Sequence, residues 1–388
     1  MAPSPVLAAR GVGIVAREVA RTSLERFVPG ESSVPLRSSG VTPTWLEGTL
    51  GLRAGAIRSV QVVSEDSGTA GRARIAVESE PDVDIPEVLF LKLTPANYLQ
   101  RMMMQVFDLG ANEVFFYQTL GEQVPVRVPH CHAALIDTRR GRNVIILEDL
   151  ADTALFRDIR DPATAAQAEA VVDAMADQHA AFWGTDRFAR DLRSMTGRSA
   201  AANFLGDIVR KRFLGNMKGQ AADIVSEALK QQGTIFFERS ADIDAMWAAE
   251  PQTVLHGDTH LGNLFFEGDD PGFIDWQVAR AGAGVRDVAY FTSSSLDIDV
   301  RRTVERSLVD RYASRLDAAG IEVDLDRLWA LYRAGFTEFY TSAVAASEAG
   351  ERAQDPEICR VGVERAAAAC EDHDAFGILE ALIDGNSV

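Results

Sequence analysis

Between residues 57 and 93 the apolar positions come in short runs divided by polar turns. Ile57 to Val63, Ala73 to Glu78 and Glu87 to Leu93 have the length and texture of strands, and Ser64-Glu65-Asp66-Ser67-Gly68-Thr69-Ala70-Gly71 separates the first two. The pattern predicts an antiparallel beginning. A helix follows, because Glu113, Phe116, Tyr117 and Leu120 recur at i, i+3, i+4 and i+7 and Gly121 stands where the helix should end. Asn143 to Leu147 predicts one more buried strand. Past Glu148 the texture changes to long helices. The clearest is expected to open with Asp161 as N-cap and Pro162 at the first helical position, with Val171, Met175, His179 and Phe182 sharing its apolar face. Val300, Val304, Leu308, Tyr312 and Leu316, spaced by four, predict another. Strands first and helices later describe an α+β fold of two segregated lobes. Residues 1–40 form an accessory segment, helical around Val15, Val19, Leu24 and Phe27, and closed by the breakers Pro29, Gly30, Ser32, Ser33 and Pro35.

Composition narrows the function classes. The 388 residues are 47% hydrophobic and 25% charged, which is globular and excludes disorder for the chain as a whole. With 39 Lys and Arg against 57 Asp and Glu, the formal charge of −18 would repel a phosphate backbone or an anionic membrane, so nucleic acid is not expected as a partner. Three cysteines, Cys131, Cys359 and Cys370, offer neither a disulfide framework nor a zinc spacing and favour a reducing compartment. Arg10 and Arg17 interrupt the apolar stretch from Val6 to Val19. No signal-peptide core or stable membrane insertion is therefore expected, and a cytoplasmic protein is. Residues 348–388 are acid-rich, which fits solvated helix faces.

The chemistry concentrates in Val254-Leu255-His256-Gly257-Asp258-Thr259-His260-Leu261-Gly262-Asn263-Leu264-Phe265-Phe266, followed after a short turn by Gly272-Phe273-Ile274-Asp275-Trp276-Gln277. Its apolar pieces read as a buried hairpin, which would hold Asp258, Asn263 and Asp275 at strand ends around one small volume. Two carboxylates and an amide suit a hard cation. Mg²⁺ keeps several waters and takes one or two protein oxygens when a nucleotide supplies phosphates, which leaves the remaining aspartate free to act as a base.

HGDTHLGN followed by IDWQ resembles the His-x-Asp-x-x-x-x-Asn and distal Asp of the aminoglycoside phosphotransferase and choline kinase group. Val128 to His132, Ile145 to Leu150 and Gln178 to Trp183 most resemble its ecdysteroid kinase-like branch, over roughly residues 45 to 300. The resemblance implies a protein-kinase-like fold with a small antiparallel N-lobe at 41–147, a hinge at 148–152 and a helical C-lobe at 153–388. It further implies an ATP-dependent kinase, with GTP possible as nucleotide, that requires Mg²⁺ and acts on a small-molecule alcohol. Asp258 then resembles the catalytic base, and Asn263 and Asp275 the metal-holding residues. Lys92, which ends the apolar strand Val88 to Leu91, resembles the lysine on the α- and β-phosphates, and Glu113 its ion-pair partner. Ser67, Gly68 and Thr69 would cover the phosphates, and the backbone of Glu148, Asp149 and Leu150 would meet the adenine edge. Asp287 resembles an aspartate that braces the catalytic loop, with His256 in a similar role. Gly257 replaces the Arg that many protein kinases carry, and only eleven residues separate Asp275 from Asp287. A peptide-docking segment would not fit, which points to a small acceptor.

Three readings compete. His256 and His260, four apart around an acid, superficially suggest a zinc hydrolase, although Gly257 and Gly262 disfavour the helix such a site needs. His179 is either a satisfied core residue or a group near the catalytic loop. The fold could also hold nucleotide or a partner protein without turnover.

Overall fold

The computed structural model describes residues 32–388 apart from 68–69, 198–199, 351–353 and 387–388, together with single positions before residue 32. The accessory helix expected within residues 1–31 lies almost wholly outside the described residues. The alternating segments form one antiparallel sheet: β1 Ile57–Ser67, β2 Gly71–Ser79, β3 Val88–Leu93, β4 Cys131–Asp137 and β5 Arg142–Glu148, in the spatial order β1-β2-β3-β5-β4. β1 is longer than its apolar run predicts, because Ser64, Glu65, Asp66 and Ser67 continue the ladder opposite Arg74, Ala73, Arg72 and Gly71. Ser67 and Gly71 are the last pair of that ladder.

Alternation gives the sheet two unlike faces. Ala73, Ile75 and Val77 of β2, Leu89, Leu91 and Leu93 of β3, and Val144 and Ile146 of β5 form an outer core with Val34, Val41 and Leu46. The cover is the helix Pro43–Leu50, capped by the Thr42 hydroxyl and ended by Gly51 in a left-handed conformation. Ser38 adds a hydrogen bond to Glu65 of β1. Ile145, Leu147 and Phe90 pack the other way, into the main core. The helix Leu109–Thr119 lies there, as its periodicity predicts, after a shorter helix Tyr98–Val106.

The chain after Glu148 is mainly helical. The helix expected to start at Asp161 instead runs Ala165–Ala181 with Thr164 as N-cap, a correction with a clear cause. Thr164 and Gln167 form a reciprocal capping box, while Asp161 and Pro162 stay in the preceding turn, held by the bond from Asp161 N to Asp158 O. The predicted helix near 300–316 spans Ile298–Ala318; Val285–Ser295, Leu325–Glu348 and Pro356–His373 pack against it, and Ala375–Ile383 packs against the last two. The acid-rich end is thus half core, with Val363, Ala366, Cys370, Phe376 and Leu379 buried. Three small strands, β7 Thr253–Leu255, β8 Leu264–Glu267 and β9 Asp270–Phe273, carry the motif segment. β8 and β9 form the predicted hairpin; β6 Leu155–Phe156 pairs with β8, and β10 Arg280–Gly282 with β7. Among the described residues no helix is long and apolar enough to cross a membrane, and all three cysteines are free.

Candidate active site

β7 delivers the chain to His256 and then to Gly257, whose φ of +84° favours glycine. A Cβ there would also lie 2.5 Å from Arg280 Nη1 and 2.7 Å from Val278 O, so the tight turn into Asp258 depends on its absence. Asp287 holds the turn from beneath. Its carboxylate accepts from His256 N at 2.7 Å and Gly257 N at 3.0 Å, and its carbonyl accepts from the Thr259 hydroxyl at 2.8 Å. His179 faces the same carboxylate at 3.4 Å and bonds Tyr312 through its other ring nitrogen. His179 is therefore both buried and part of the brace. His256 donates from Nε2 to Ile274 O and accepts at Nδ1 from Asp258 N, which ties the two halves of the motif together.

Burial works against the Asp287 charge, but His179, His256 and Arg280 outweigh it and hold the carboxyl below its ordinary value. Replacing Asp287 by Ala should strand two buried N–H donors and cost about 3–5 kcal/mol of stability near neutral pH. A carboxyl with a lowered folded pKa stabilises fully above its unfolded value of about 3.9, and that contribution is lost as pH falls through the folded value. Urea unfolding of parent and variant should thus differ most at neutral pH and converge in acid. A constant gap across pH would refute the charged brace.

Asp258 sits with its side chain 34% exposed. Tyr290 donates to its Oδ1 at 2.7 Å, the Asn263 amide donates to its Oδ2 at 3.0 Å and to its carbonyl at 2.9 Å, and His260 Nε2 lies 3.6 Å from Oδ2. Burial raises the carboxyl, but His260, Tyr290 and His256 together bring it well below the usual range, so Asp258 is charged. Burial lowers His260 in turn, and Asp258 more than compensates, leaving the imidazole raised. His260 Nδ1 accepts from Gly262 N, which leaves Nε2 as the proton-bearing atom toward Asp258.

On the far side of Asn263, β9 leads to Asp275, whose backbone is left-handed at φ 65°. Its carboxylate meets Lys92 Nζ at 2.8 Å, and Glu113 meets the same ammonium at 2.8 Å. Both Lys92 and Glu113 are buried. Burial pulls the ammonium down, but Asp275 and Glu113 outweigh it and hold the pKa raised; burial lifts the Glu113 carboxyl against the pull of Lys92. The ring of Trp276 stacks on Phe116 at 4.0 Å and 6°, fixing the Asp275 turn to the Glu113 helix. Lys92, Glu113 and Asp275 thus form one cluster and Asp258 and Asn263 another, and the bond from Ile274 N to Asn263 O joins them.

The expected turn and crossover residues fare less evenly. Ser67 closes β1, while Gly68 and Thr69 lie outside the described residues. Glu148 ends β5 with its N–H already bonded to His130 O, leaving Asp149 and Leu150 to offer backbone groups. Its carboxylate accepts both Nη groups of Arg127, at 3.0 and 2.9 Å. The same guanidinium bonds Glu267 of β8 at 2.9 and 3.1 Å, and Arg127 O accepts from Phe273 N. Asp149 accepts bidentately from Arg74 of β2.

Tyr290 escaped the sequence reading as a site residue. Its signal was present, since it lies three residues beyond Asp287 on one helix and so shares that face. His260 was weighed only as a zinc ligand. Among the described residues no group of three or more His, Cys, Asp or Glu side chains could hold a metal ion, so a zinc cluster of that kind is not formed. Asn263 and Asp275 offer an amide oxygen and a carboxylate, the hard donor set that Mg²⁺ takes when phosphates complete its shell.

The profile of the ecdysteroid kinase-like family matches residues 69–323. No curated protein matches the chain in sequence. Among solved structures, APH(2")-IIia in complex with GDP and kanamycin is similar over 85% of this chain and 98% of that one, at 13% identity and a TM-score of 0.50. An ethanolamine kinase of Plasmodium vivax is similar over 82% of this chain and 84% of its own, at 11% identity and a TM-score of 0.50. The fold, an antiparallel-sheet lobe followed by a helical one, is that of protein-kinase-like phosphotransferases.

Proposed function

Because this chain belongs to the ecdysteroid kinase-like family, we propose that it transfers the γ-phosphoryl group of ATP, with GTP as the other candidate nucleotide, to a hydroxyl group of a small molecule. The observation that carries this reading is the convergence at Lys92: two carboxylates from distant elements meet one buried ammonium at 2.8 Å each. A buried ammonium needs such fixed partners to stay charged and oriented, and it then presents a defined donor to the α- and β-phosphates.

The nucleotide occupies the cleft between the sheet unit at 41–147 and the helical unit at 153–388, with its base edge against the backbone of Asp149 and Leu150 in the 148–152 crossover and its phosphates beneath the turn at Ser67, Gly68 and Thr69. Asn263 and Asp275 hold Mg²⁺, which when bound neutralises phosphate charge. Asp258 accepts the hydrogen bond of the acceptor hydroxyl, orients its oxygen toward the γ-phosphorus and takes its proton as the new P–O bond forms and the bond to the β–γ bridging oxygen breaks, releasing ADP. Tyr290 and Asn263 fix the carboxylate. The alcohol acceptor is small because nothing between Asp275 and Asp287 is long enough to seat a peptide.

The test is direct: the purified chain with ATP, Mg²⁺ and a mixed pool of alcohols, amino alcohols and aminoglycosides should release ADP above the rate without acceptor. A phosphorylated acceptor should appear by mass spectrometry. Nucleotide binding without ADP release across chemically diverse pools would make the chain a silent binding module.

A further inference from the structure

We propose that Arg72 is a second phosphate-binding cation of this cleft, acting beside Lys92 on the nucleotide's phosphate chain; the inference rests on the phosphotransferase reading and adds a residue to it. The register of the sheet carries it. Ala73, Ile75 and Val77 of β2 face the outer core, so Arg72 and Arg74 face the opposite way. That is the face of Lys92: Arg72 pairs directly with Lys92 across β2 and β3, and Arg74 pairs with Phe90. Opposed residues in antiparallel strands hold their Cβ atoms about 4.5–5.5 Å apart, so the two side chains leave the sheet side by side on one face.

Their partners differ. Arg74 is committed to Asp149, with bonds of 2.7 and 2.9 Å, and Lys92 to Glu113 and Asp275. Arg72 is half-buried, and among the described residues its guanidinium makes no hydrogen bond or ion pair. Asp66, opposite it on β1, is not its partner.

Charge balance gives this uncommitted guanidinium a task. Lys92 is shared by two carboxylates, so apart from Mg²⁺ the protein's own side chains there supply little positive charge for a polyanion. Arg72 directly follows Gly71, where β2 begins opposite Ser67 of β1, so it sits at the end of the sheet assigned to the phosphates. A planar guanidinium there can engage two phosphate oxygens at once, which the shared ammonium of Lys92 cannot.

The experiment compares the full chain with Arg72→Gln and Arg72→Lys, measuring Kd for Mg·ATP and for adenosine by calorimetry at low and moderate salt. Arg72→Gln should weaken Mg·ATP by about ten- to fifty-fold, the scale of one charge-assisted contact. Adenosine should stay within about two-fold, since it has no phosphates to lose. Arg72→Lys should recover part of the affinity, and the salt dependence should flatten in Arg72→Gln. Unchanged Mg·ATP affinity, or equal losses for ATP and adenosine, would overturn the assignment while leaving the parent's nucleotide binding in place. A parent that binds neither ligand would instead remove the phosphotransferase reading itself, and Arg72's role with it.

Discussion

Asp258→Asn should lower kcat for phosphoryl transfer by about 10²–10⁴-fold, the range associated with a positioned general base, while the KM for nucleotide stays within about two-fold. The split follows from the geometry. Asp258 contacts Tyr290, Asn263 and His260, whereas the ammonium assigned to phosphate sits against Glu113 and Asp275. Both Asp258 oxygens already accept a hydrogen bond, so the carboxylate meets an incoming hydroxyl through its remaining lone pairs and aims it before taking its proton. An amide keeps the shape and can still accept from one of the two donors, but it cannot take up the proton. Parental turnover in the variant would remove Asp258 as the base. Lost folding would appear in the far-ultraviolet circular dichroism and is not expected.

Asp275→Asn should act on binding instead. A ligand present at one hundred times its Kd stabilises the fold by about 2.7 kcal/mol, and a hundred-fold loss of affinity leaves about 0.4 kcal/mol. The thermal shift given by Mg·ATP should therefore nearly vanish in the variant. The substitution is a clean one because asparagine tolerates the left-handed backbone at this position, φ 65°. It also leaves Lys92 paired with Glu113, so no buried charge is orphaned. A full Mg·ATP shift in Asp275→Asn would mean that the carboxylate does not take part in holding the metal-nucleotide.

The hairpin and the Glu113 helix were legible because each is a local pattern: Leu264 to Phe266 and Phe273 are apolar between turn residues, and Glu113, Phe116, Tyr117 and Leu120 repeat with helical spacing. The resemblance of the octet and IDWQ to a known family supplied the roles expected for Asp258, Asn263 and Asp275. What escaped was tertiary. Thr164 outcompeted Asp161 as a cap because Gln167 could reciprocate, a contest that a single favourable Asp-Pro pair conceals. The spacing puts Tyr290 on the Asp287 face of its helix, but only the meeting of β7 with the Val285–Ser295 helix brings its hydroxyl to Asp258. Arg72 and Arg74 look alike on β2 until the register shows what each one faces.

Arg127 fixes how the two halves can part. Its guanidinium grips Glu148 at the end of β5 and Glu267 in the β8–β9 hairpin, beside the very place where the chain itself crosses over. Connection and clamp thus coincide at one edge, like a book bound along its spine. The spine lies at the Leu89 end of β3, whereas Gly71, where β2 begins, pairs with Leu93 at the opposite end. Any parting of the sheet from the helical unit would therefore keep the bound edge joined and be greatest at the Leu93 end of β3.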